Sequence, residues 1–305
     1  MSIVILAPKK RALLIQETLA GMIDMPVLLQ QEVLDEREVQ YAIIWNHDKG
    51  ALKAFTSIQL ICSFGAGVDH LWADTTLPMV PIVRIGDGGL ASTMSRFIQA
   101  SLANWEQNLW AYRWQQFQKI WQPLPVKDKP SIGILGLGTI GKKVAVDLVA
   151  QGYRVSGFSN TSKKIDGVKT YAGLTNLKVF LNEITCLICL LPLTNQTKGF
   201  INAHILNELP RESLLINVAR GAVLVEADLL AALDSGRLAA AFLDVFIQEP
   251  LPENHPFWSH PQIMITPHVA AITNPVAACK EIAENIRRNQ KGLPLLFEID
   301  RAKGY

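Results

Sequence analysis

A chain of 305 residues with 29 Lys+Arg against 27 Asp+Glu carries a formal charge of +2, and 49% of it is hydrophobic. At ~150 residues per domain this is material for two domains, each able to bury a core. The composition excludes a disordered chain, and the near-neutral balance gives no electrostatic reason to expect nucleic acid or a membrane surface as partner.

The first residues, 1–7, form a short apolar run followed by Pro8-Lys9-Lys10-Arg11. The charges follow the apolar run, so it reads as a first strand and not a signal peptide. Short apolar runs at 4–6, 41–45, 60–63 and 82–84 read as strands, with helices or turns at 11–20, 37–39 and 49–55. Such alternation predicts a parallel α/β layer. Residues 91–117 read as one or two long helices, with Trp105, Trp110 and Trp114 at helical spacing as core or subunit interface. Pro123, Pro125 and Pro130 break the pattern as a linker would.

A second α/β unit then begins: strand 131–135, helix 139–151 and strand 153–158, with further strands at 186–191, 214–218, 240–245 and 264–266. A helix is predicted over 275–290, with Ala277, Ile282 and Ile286 on one face. No apolar run reaches the ~18 residues of a membrane span; the longest runs from Ile184 to Leu193. Four cysteines are too few for a disulfide framework, and Cys186-x-x-Cys189 lies within a buried-strand pattern. Its cysteines read as core residues, no metal site is expected, and the location expected is the reducing cytoplasm.

Gly136-Leu137-Gly138-Thr139-Ile140-Gly141 directly follows the strand Ile132-Gly133-Ile134-Leu135 and opens a helix. In that context the three glycines serve a tight turn, backbone approach to a pyrophosphate and close helix–strand packing. Gly136, Gly138, Thr139, Ile140 and Gly141 are therefore expected at a dinucleotide, whose anion meets the helix N-terminus. The next strand ends in Phe158-Ser159-Asn160-Thr161-Ser162-Lys163-Lys164, without the carboxylate that would accept a ribose 2′-hydroxyl. Ser159, Asn160, Ser162 and Lys163 offer hydroxyl, amide and ammonium groups to a 2′-phosphate, which favours NADPH over NADH.

Further motifs follow: Leu191-Pro192-Leu193-Thr194-x-x-Thr197-x-Gly199, Ile216-Asn217-Val218-Ala219-Arg220-Gly221, and Leu243-Asp244-Val245-Phe246-x-x-Glu249-Pro250. His255-Pro256-Phe257-Trp258 and Thr266-Pro267-His268-Val269 complete the set. In order and spacing the chain resembles the D-isomer-specific 2-hydroxyacid dehydrogenase family over most of residues 60–305. Within it the chain is most similar to the glyoxylate/hydroxypyruvate reductase A branch, on Gly65-Ala66-Gly67-Val68-Asp69, Trp121-Gln122-Pro123-Leu124-Pro125, the acid-free 159–164 loop and the ending Asp300-Arg301-Ala302-Lys303-Gly304-Tyr305.

The resemblance implies two Rossmann-like or flavodoxin-like α/β domains with parallel sheets and an interdomain active-site cleft. Residues 1–97 with 281–305 would form a substrate-binding lid and 98–280 an NADP-binding domain, in a homodimer. Arg220 can bind a 2-keto acid's carboxylate and polarise its carbonyl, because guanidinium offers several fixed donors. His268 is the expected proton donor, and Glu249 would hold its other nitrogen and favour the imidazolium. Pro192, Thr197 and Val218 match cofactor-contact positions. Asp244 matches the position that accepts from the nicotinamide carboxamide, or else caps the next turn. Ala66 and Gly67 match the loop whose N–H groups hold the substrate carboxylate. Trp45 either caps the substrate pocket or packs in the core.

One departure stands out: Met94-Ser95-Arg96-Phe97 occupies a region where many family members carry Val-Ala-Glu. The expected activity is NADPH-dependent reduction of small 2-keto acids, glyoxylate and hydroxypyruvate first. A bulkier acid such as phenylpyruvate and a non-catalytic dinucleotide-sensing role are the alternatives.

Overall fold

A computed structural model describes residues 1–86 and 89–302. Lys303, Gly304 and Tyr305, part of the ending that carries the resemblance, lie outside the described residues. The chain divides into two compact units, one of Met1–Leu90 with Thr273–Tyr305 and the other of Ala91–Ile272.

The first unit begins with β1 (Ser2–Leu6), α1 (Lys9–Ala20), β2 (Val27–Leu29), β3 (Val39–Ile44), β4 (Leu60–Ser63) and β5 (Ile82–Val83). The strands form one all-parallel sheet in the order β2-β1-β3-β4-β5. Every residue of β1 and β4 is buried, as a parallel sheet covered on both faces requires. The C-terminal tail closes the sheet's edge: Val83 bridges Glu298 antiparallel, and the Ile299 N–H donates to the Ile82 carbonyl at 2.8 Å. An edge paired in this way offers no template to another chain.

The second unit opens with α2 (Leu90–Glu106) and α3 (Leu109–Gln118), so the 91–117 stretch is two helices. They part at Asn108, whose φ of 54° suits a residue type that tolerates the left-handed region, and whose side chain donates to the Pro125 carbonyl at 2.7 Å. Trp105 is in the core and stacks on Trp110, with ring centroids 5.9 Å apart. Because Met94, Ile98, Leu102 and Trp105 all pack into this unit's core, the break falls at 90/91, earlier than the expected 97/98.

The order continues β6 (Ile132–Leu135), α4 (Thr139–Ala150), β7 (Val155–Ser159), β8 (Val168–Ala172), α5 (Leu177–Asn182), β9 (Cys186–Cys189), α6 (Ala203–Glu208), β10 (Ser213–Asn217), α7 (Glu226–Asp234), β11 (Leu238–Leu243) and β12 (Ile263–Ile265). The final helix, α8 (Pro275–Gln290), returns to the first unit and packs on α1. It belongs there as a whole, so the second break falls at 272/273 and not the expected 280/281.

The seven strands lie parallel in the order β12-β11-β10-β9-β6-β7-β8. Alternation along the strands splits the core between two faces. Leu135, Leu187, Cys189, Leu215 and Leu243 belong to one cluster, and Ile132, Ile134, Cys186, Ile188 and Ile216 to the other. Cys186 and Cys189 thus face opposite sides of the sheet, each fully buried, and burial pushes the Cys189 thiol up to about 12. Between β6 and β9 the order of strand addition reverses, which opens a crevice at their carboxyl ends.

Candidate active site

The glycine-rich loop sits at this reversal, and each glycine has its own reason. Gly136 has φ +101°, and a Cβ there would come within 2.7 Å of the Leu190 carbonyl oxygen at the end of β9. At Gly141 a Cβ would lie 1.9 Å from the Gly136 carbonyl oxygen, so α4 can approach the turn only without one. A Cβ at Gly138 would meet nothing within 4 Å, which leaves open space before the helix N-terminus. The α4 N-cap has no side-chain hydrogen bond, as suits a helix end kept for an anion. Gly138 and Thr139 are exposed, whereas Ile140 packs partly into the core. A dinucleotide's pyrophosphate fits this cradle.

Sequence reasoning missed a fourth glycine. Gly157, within β7, leaves the space that Leu137 fills, since a Cβ there would lie 2.6 Å from Leu137 Cδ2. Beyond β7, Ser159 Oγ donates to the Thr161 carbonyl at 2.8 Å and Thr170 Oγ1 to the Lys163 carbonyl at 2.7 Å. The Lys163 backbone is thereby tied to β8, while Asn160, Ser162 and Lys163 are exposed. After β9, Thr197 Oγ1 donates to the Pro192 carbonyl at 2.5 Å and accepts from the Thr194 N–H at 2.8 Å, closing that loop on itself. The Val218 side chain is buried in the core, at 4% exposure.

Arg220 follows β10 by three residues and is half-buried. Its turn is held by Asn217, a second residue that sequence reasoning passed over. Asn217 is fully buried; its amide donates to the Arg220 carbonyl at 3.1 Å and its Oδ1 accepts from the Ala219 N–H at 3.2 Å. Arg220 Nη1 donates to the Ala219 carbonyl at 2.7 Å. A Cβ on Gly221 would lie 2.0 Å from the Phe246 carbonyl carbon, so the arginine turn is seated directly on the backbone that leads to Glu249.

Asp244 directly follows β11 at 1% exposure and organises the loop that carries His268. Its Oδ1 accepts from Thr266 Oγ1 at 2.6 Å and from the Val269 N–H at 2.9 Å, and its Oδ2 from the Ala270 N–H at 2.8 Å. The His268 N–H donates to the Asp244 carbonyl at 2.9 Å. Of the two expectations for Asp244, the turn cap is what these bonds display. The cap fixes a strained residue, because His268 has φ +55°, a region non-glycine residues seldom adopt.

His268 Nδ1 lies 2.6 Å from Glu249 Oε2, and Glu249 Oε1 accepts from the Phe246 N–H at 3.0 Å. The carboxylate is thus oriented by backbone and in turn orients the ring. Proton exchange with a bound molecule is left to Nε2, on a side chain 46% exposed. What the cluster offers is one cation, one imidazole with a fixed partner, and a dinucleotide cradle on the same sheet edge. Among the described residues no group of three or more His, Cys, Asp or Glu could hold a metal ion.

Trp45, Ala66 and Gly67 lie in the first unit, after β3 and β4. Trp45 is half-buried, with the edge of its ring against the Gly65 backbone and the His70 ring T-shaped to it, centroids 5.2 Å apart. His255 stands T-shaped to Phe257 with centroids 4.4 Å apart and reaches Glu226 at 3.3 Å.

Comparison with known proteins agrees with this arrangement. The model of the D-isomer specific 2-hydroxyacid dehydrogenase NAD-binding domain matches residues 89–270. A protein of Yersinia enterocolitica named glyoxylate/hydroxypyruvate reductase A is 41% identical over 279 residues, 89% of each chain. Among solved structures, a D-isomer specific 2-hydroxyacid dehydrogenase of Xanthobacter autotrophicus Py2, in complex with NADPH and MES, is 35% identical. It superposes with a TM-score of 0.95 over 100% of this chain and 99% of its own. An NADPH-dependent glyoxylate/hydroxypyruvate reductase of Sinorhizobium meliloti, in complex with NADP and sulfate, is 32% identical, with a TM-score of 0.92 over 100% of this chain and 99% of its own. The chain therefore belongs to the D-isomer-specific 2-hydroxyacid dehydrogenase family.

Proposed function

We propose that this protein is an NADPH-preferring reductase of small 2-keto acids, converting glyoxylate to glycolate and hydroxypyruvate to D-glycerate. The observation that carries the reading is the 2.6 Å Glu249–His268 pair, set on the carboxyl edge of the sheet that also bears the Arg220 turn and the glycine cradle. The names of the Yersinia and Sinorhizobium relatives support the substrate, and the NADPH and NADP held by the two solved relatives support the cofactor.

NADPH, when bound, supplies a hydride to the keto carbon. Gly136, Gly138, Thr139, Ile140 and Gly141 would hold its pyrophosphate, with Pro192, Thr197 and the Val218 backbone beside it. Ser159, Asn160, Ser162 and Lys163 would hold the 2′-phosphate, through charge-assisted bonds that an NADH ribose cannot make. Asp244 Oδ2, which accepts from the Ala270 N–H, would turn its second lone pair to the carboxamide.

Arg220 binds the substrate carboxylate and draws electron density from the carbonyl. His268 Nε2 gives its proton to the developing alkoxide, while Glu249 keeps Nδ1 fixed. In the first unit, Ala66 and Gly67 would hold a carboxylate through backbone N–H groups, with Trp45 beside them.

A homodimer is part of the proposal. A groove of about 620 Å³ in the second unit is lined by Leu109, Trp114, Phe117, Trp258 and Met264, and Trp121 nearby in sequence is 100% exposed. An apolar surface of this kind marks an interface. A cytoplasmic location accords with four buried free cysteines.

The test is cofactor oxidation by the purified protein with glyoxylate or hydroxypyruvate, NADPH and NADH side by side. Turnover with a preference for NADPH is expected. Faster turnover with NADH would discard the role given to the 159–164 loop, and turnover of phenylpyruvate alone would discard the small-substrate reading.

A further inference from the structure

In the first unit, Trp45 is gripped from several sides. A Cβ added to Gly65 would stand 2.0 Å from Trp45 Cζ3, 2.8 Å from Cη2 and 3.0 Å from Cε3, so the Cζ3 edge of the indole occupies the space where a side chain would begin. The His70 ring stands T-shaped to it, and the Arg11 guanidinium carbon sits 5.3 Å from its centroid. The following residue, Asn46, has φ +47°. Next comes His47, whose side chain is 2% exposed, with Nε2 3.3 Å from Asp74 Oδ2. Asp74 is itself anchored, accepting from the Gly50 N–H at 3.0 Å, the Thr76 N–H at 2.9 Å and Thr76 Oγ1 at 2.6 Å. A strained loop pinned by a buried pair does not let its tryptophan swing.

Gly65 is also the residue before Ala66 and Gly67. A carboxylate held by those two N–H groups lies within one or two residues, at ~3.8 Å each, of the ring's resting place. We propose that Gly65 is a positioning residue that presses the Trp45 indole into a fixed wall, and that this wall limits the protein to 2-keto acids with a small group on the keto carbon. The inference deepens the functional reading above and rests on its placement of the carboxylate at Ala66 and Gly67. Gly65 acts only through Trp45: its missing Cβ gives the ring somewhere to lie, and the ring meets the substrate.

Four proteins test it: wild type, Trp45→Ala, Gly65→Ala and the double variant, assayed with hydroxypyruvate and phenylpyruvate. Trp45→Ala should raise the phenylpyruvate-to-hydroxypyruvate ratio of kcat/KM by about tenfold or more, as opening a pocket by a side chain does. Gly65→Ala forces the ring off the backbone and should raise KM for hydroxypyruvate more than it lowers kcat. The double variant should behave as Trp45→Ala alone, because the three atoms nearest the new Cβ all belong to the indole. Additive effects, or a Gly65→Ala enzyme with unchanged KM and ratio, would overturn the inference.

If Gly65→Ala does not fold, the double variant must restore folding, and failure to do so counts against it equally. If the wild type reduces no keto acid, the functional reading falls, but the clamp remains testable. Acrylamide quenching of the Trp45 emission, isolated by difference against Trp45→Phe, should rise in Gly65→Ala; unchanged quenching would show that Gly65 holds nothing.

Discussion

Both units are built on an all-parallel sheet in which the order of strand addition reverses, in one between β1 and β3 and in the other between β6 and β9. Such reversals leave a crevice at the carboxyl ends of the strands. The two edges are nonetheless furnished differently. After β6 stands a loop of three glycines that opens directly onto the N-terminus of α4. After β1 come Pro8, Lys9, Lys10 and Arg11 with no glycine, so the backbone there makes no cradle, and Arg11 turns to the face of Trp45. Topology provides the place for a ligand. Room at the backbone and the residues of the loops decide what is done there.

The comparison can be broken most severely at His268. His268→Ala should lower kcat by about 10²–10⁴ while leaving NADPH affinity unchanged, read by steady-state rates beside a cofactor titration. A variant that keeps its rate would remove proton transfer from this edge.

The cradle offers a sharper contrast within one loop. Gly141→Ala brings a Cβ against the Gly136 carbonyl and should cost about 1–3 kcal/mol of stability together with cofactor binding. Gly138→Ala enters open space, so its melting temperature should match wild type while NADPH binding weakens. Equal melting losses in the two would refute the separate reasons given for these glycines.

A smaller effect is expected at the end of β7. Lys163→Ala should reduce the NADPH-over-NADH preference by roughly 3- to 10-fold, the worth of one exposed ion contact of about 1 kcal/mol. Rates with NADH should not move, and an equal loss with both cofactors would place Lys163 elsewhere than at a 2′-phosphate.

The mildest test concerns the first unit's own stability. Burial works against ionisation of Asp74, but the Thr76 hydroxyl, the Gly50 and Thr76 N–H groups and His47 outweigh it and lower its pKa to about 2. A carboxyl held below its unfolded value of ~4 stabilises the fold above that pH, and the contribution is lost as pH falls toward 2. Asp74→Asn should therefore flatten the acid limb of a stability profile between about pH 4 and 2, and a wild-type profile already flat there would contradict the assignment.

Strands of unbroken apolar residues, such as Ile132–Leu135 and Cys186–Cys189, were legible because burial on both faces writes itself as composition. The helix Pro275–Gln290 was legible by its period and its N-terminal proline. Val27–Leu29, Val168–Ala172 and the six-residue helices Leu177–Asn182 and Ala203–Glu208 were not. An element of one or two turns, or a half-exposed edge strand, is too short to establish a period.

For the site, the sequence alone determined the glycine spacing, the absence of a carboxylate over residues 159–164 and the types of residue able to bind a carboxylate or pass a proton. Those are local properties of a turn, a strand end and a side chain. Only the tertiary structure decided that Glu249 meets His268 across 19 residues, that Asp244 holds the histidine's loop, and that Gly65 and Gly221 are glycines because a ring and a carbonyl lie where their side chains would be. Contacts between distant segments are set by how helices and strands stack, and a missing Cβ reveals its purpose only when the neighbour that fills its space is in view.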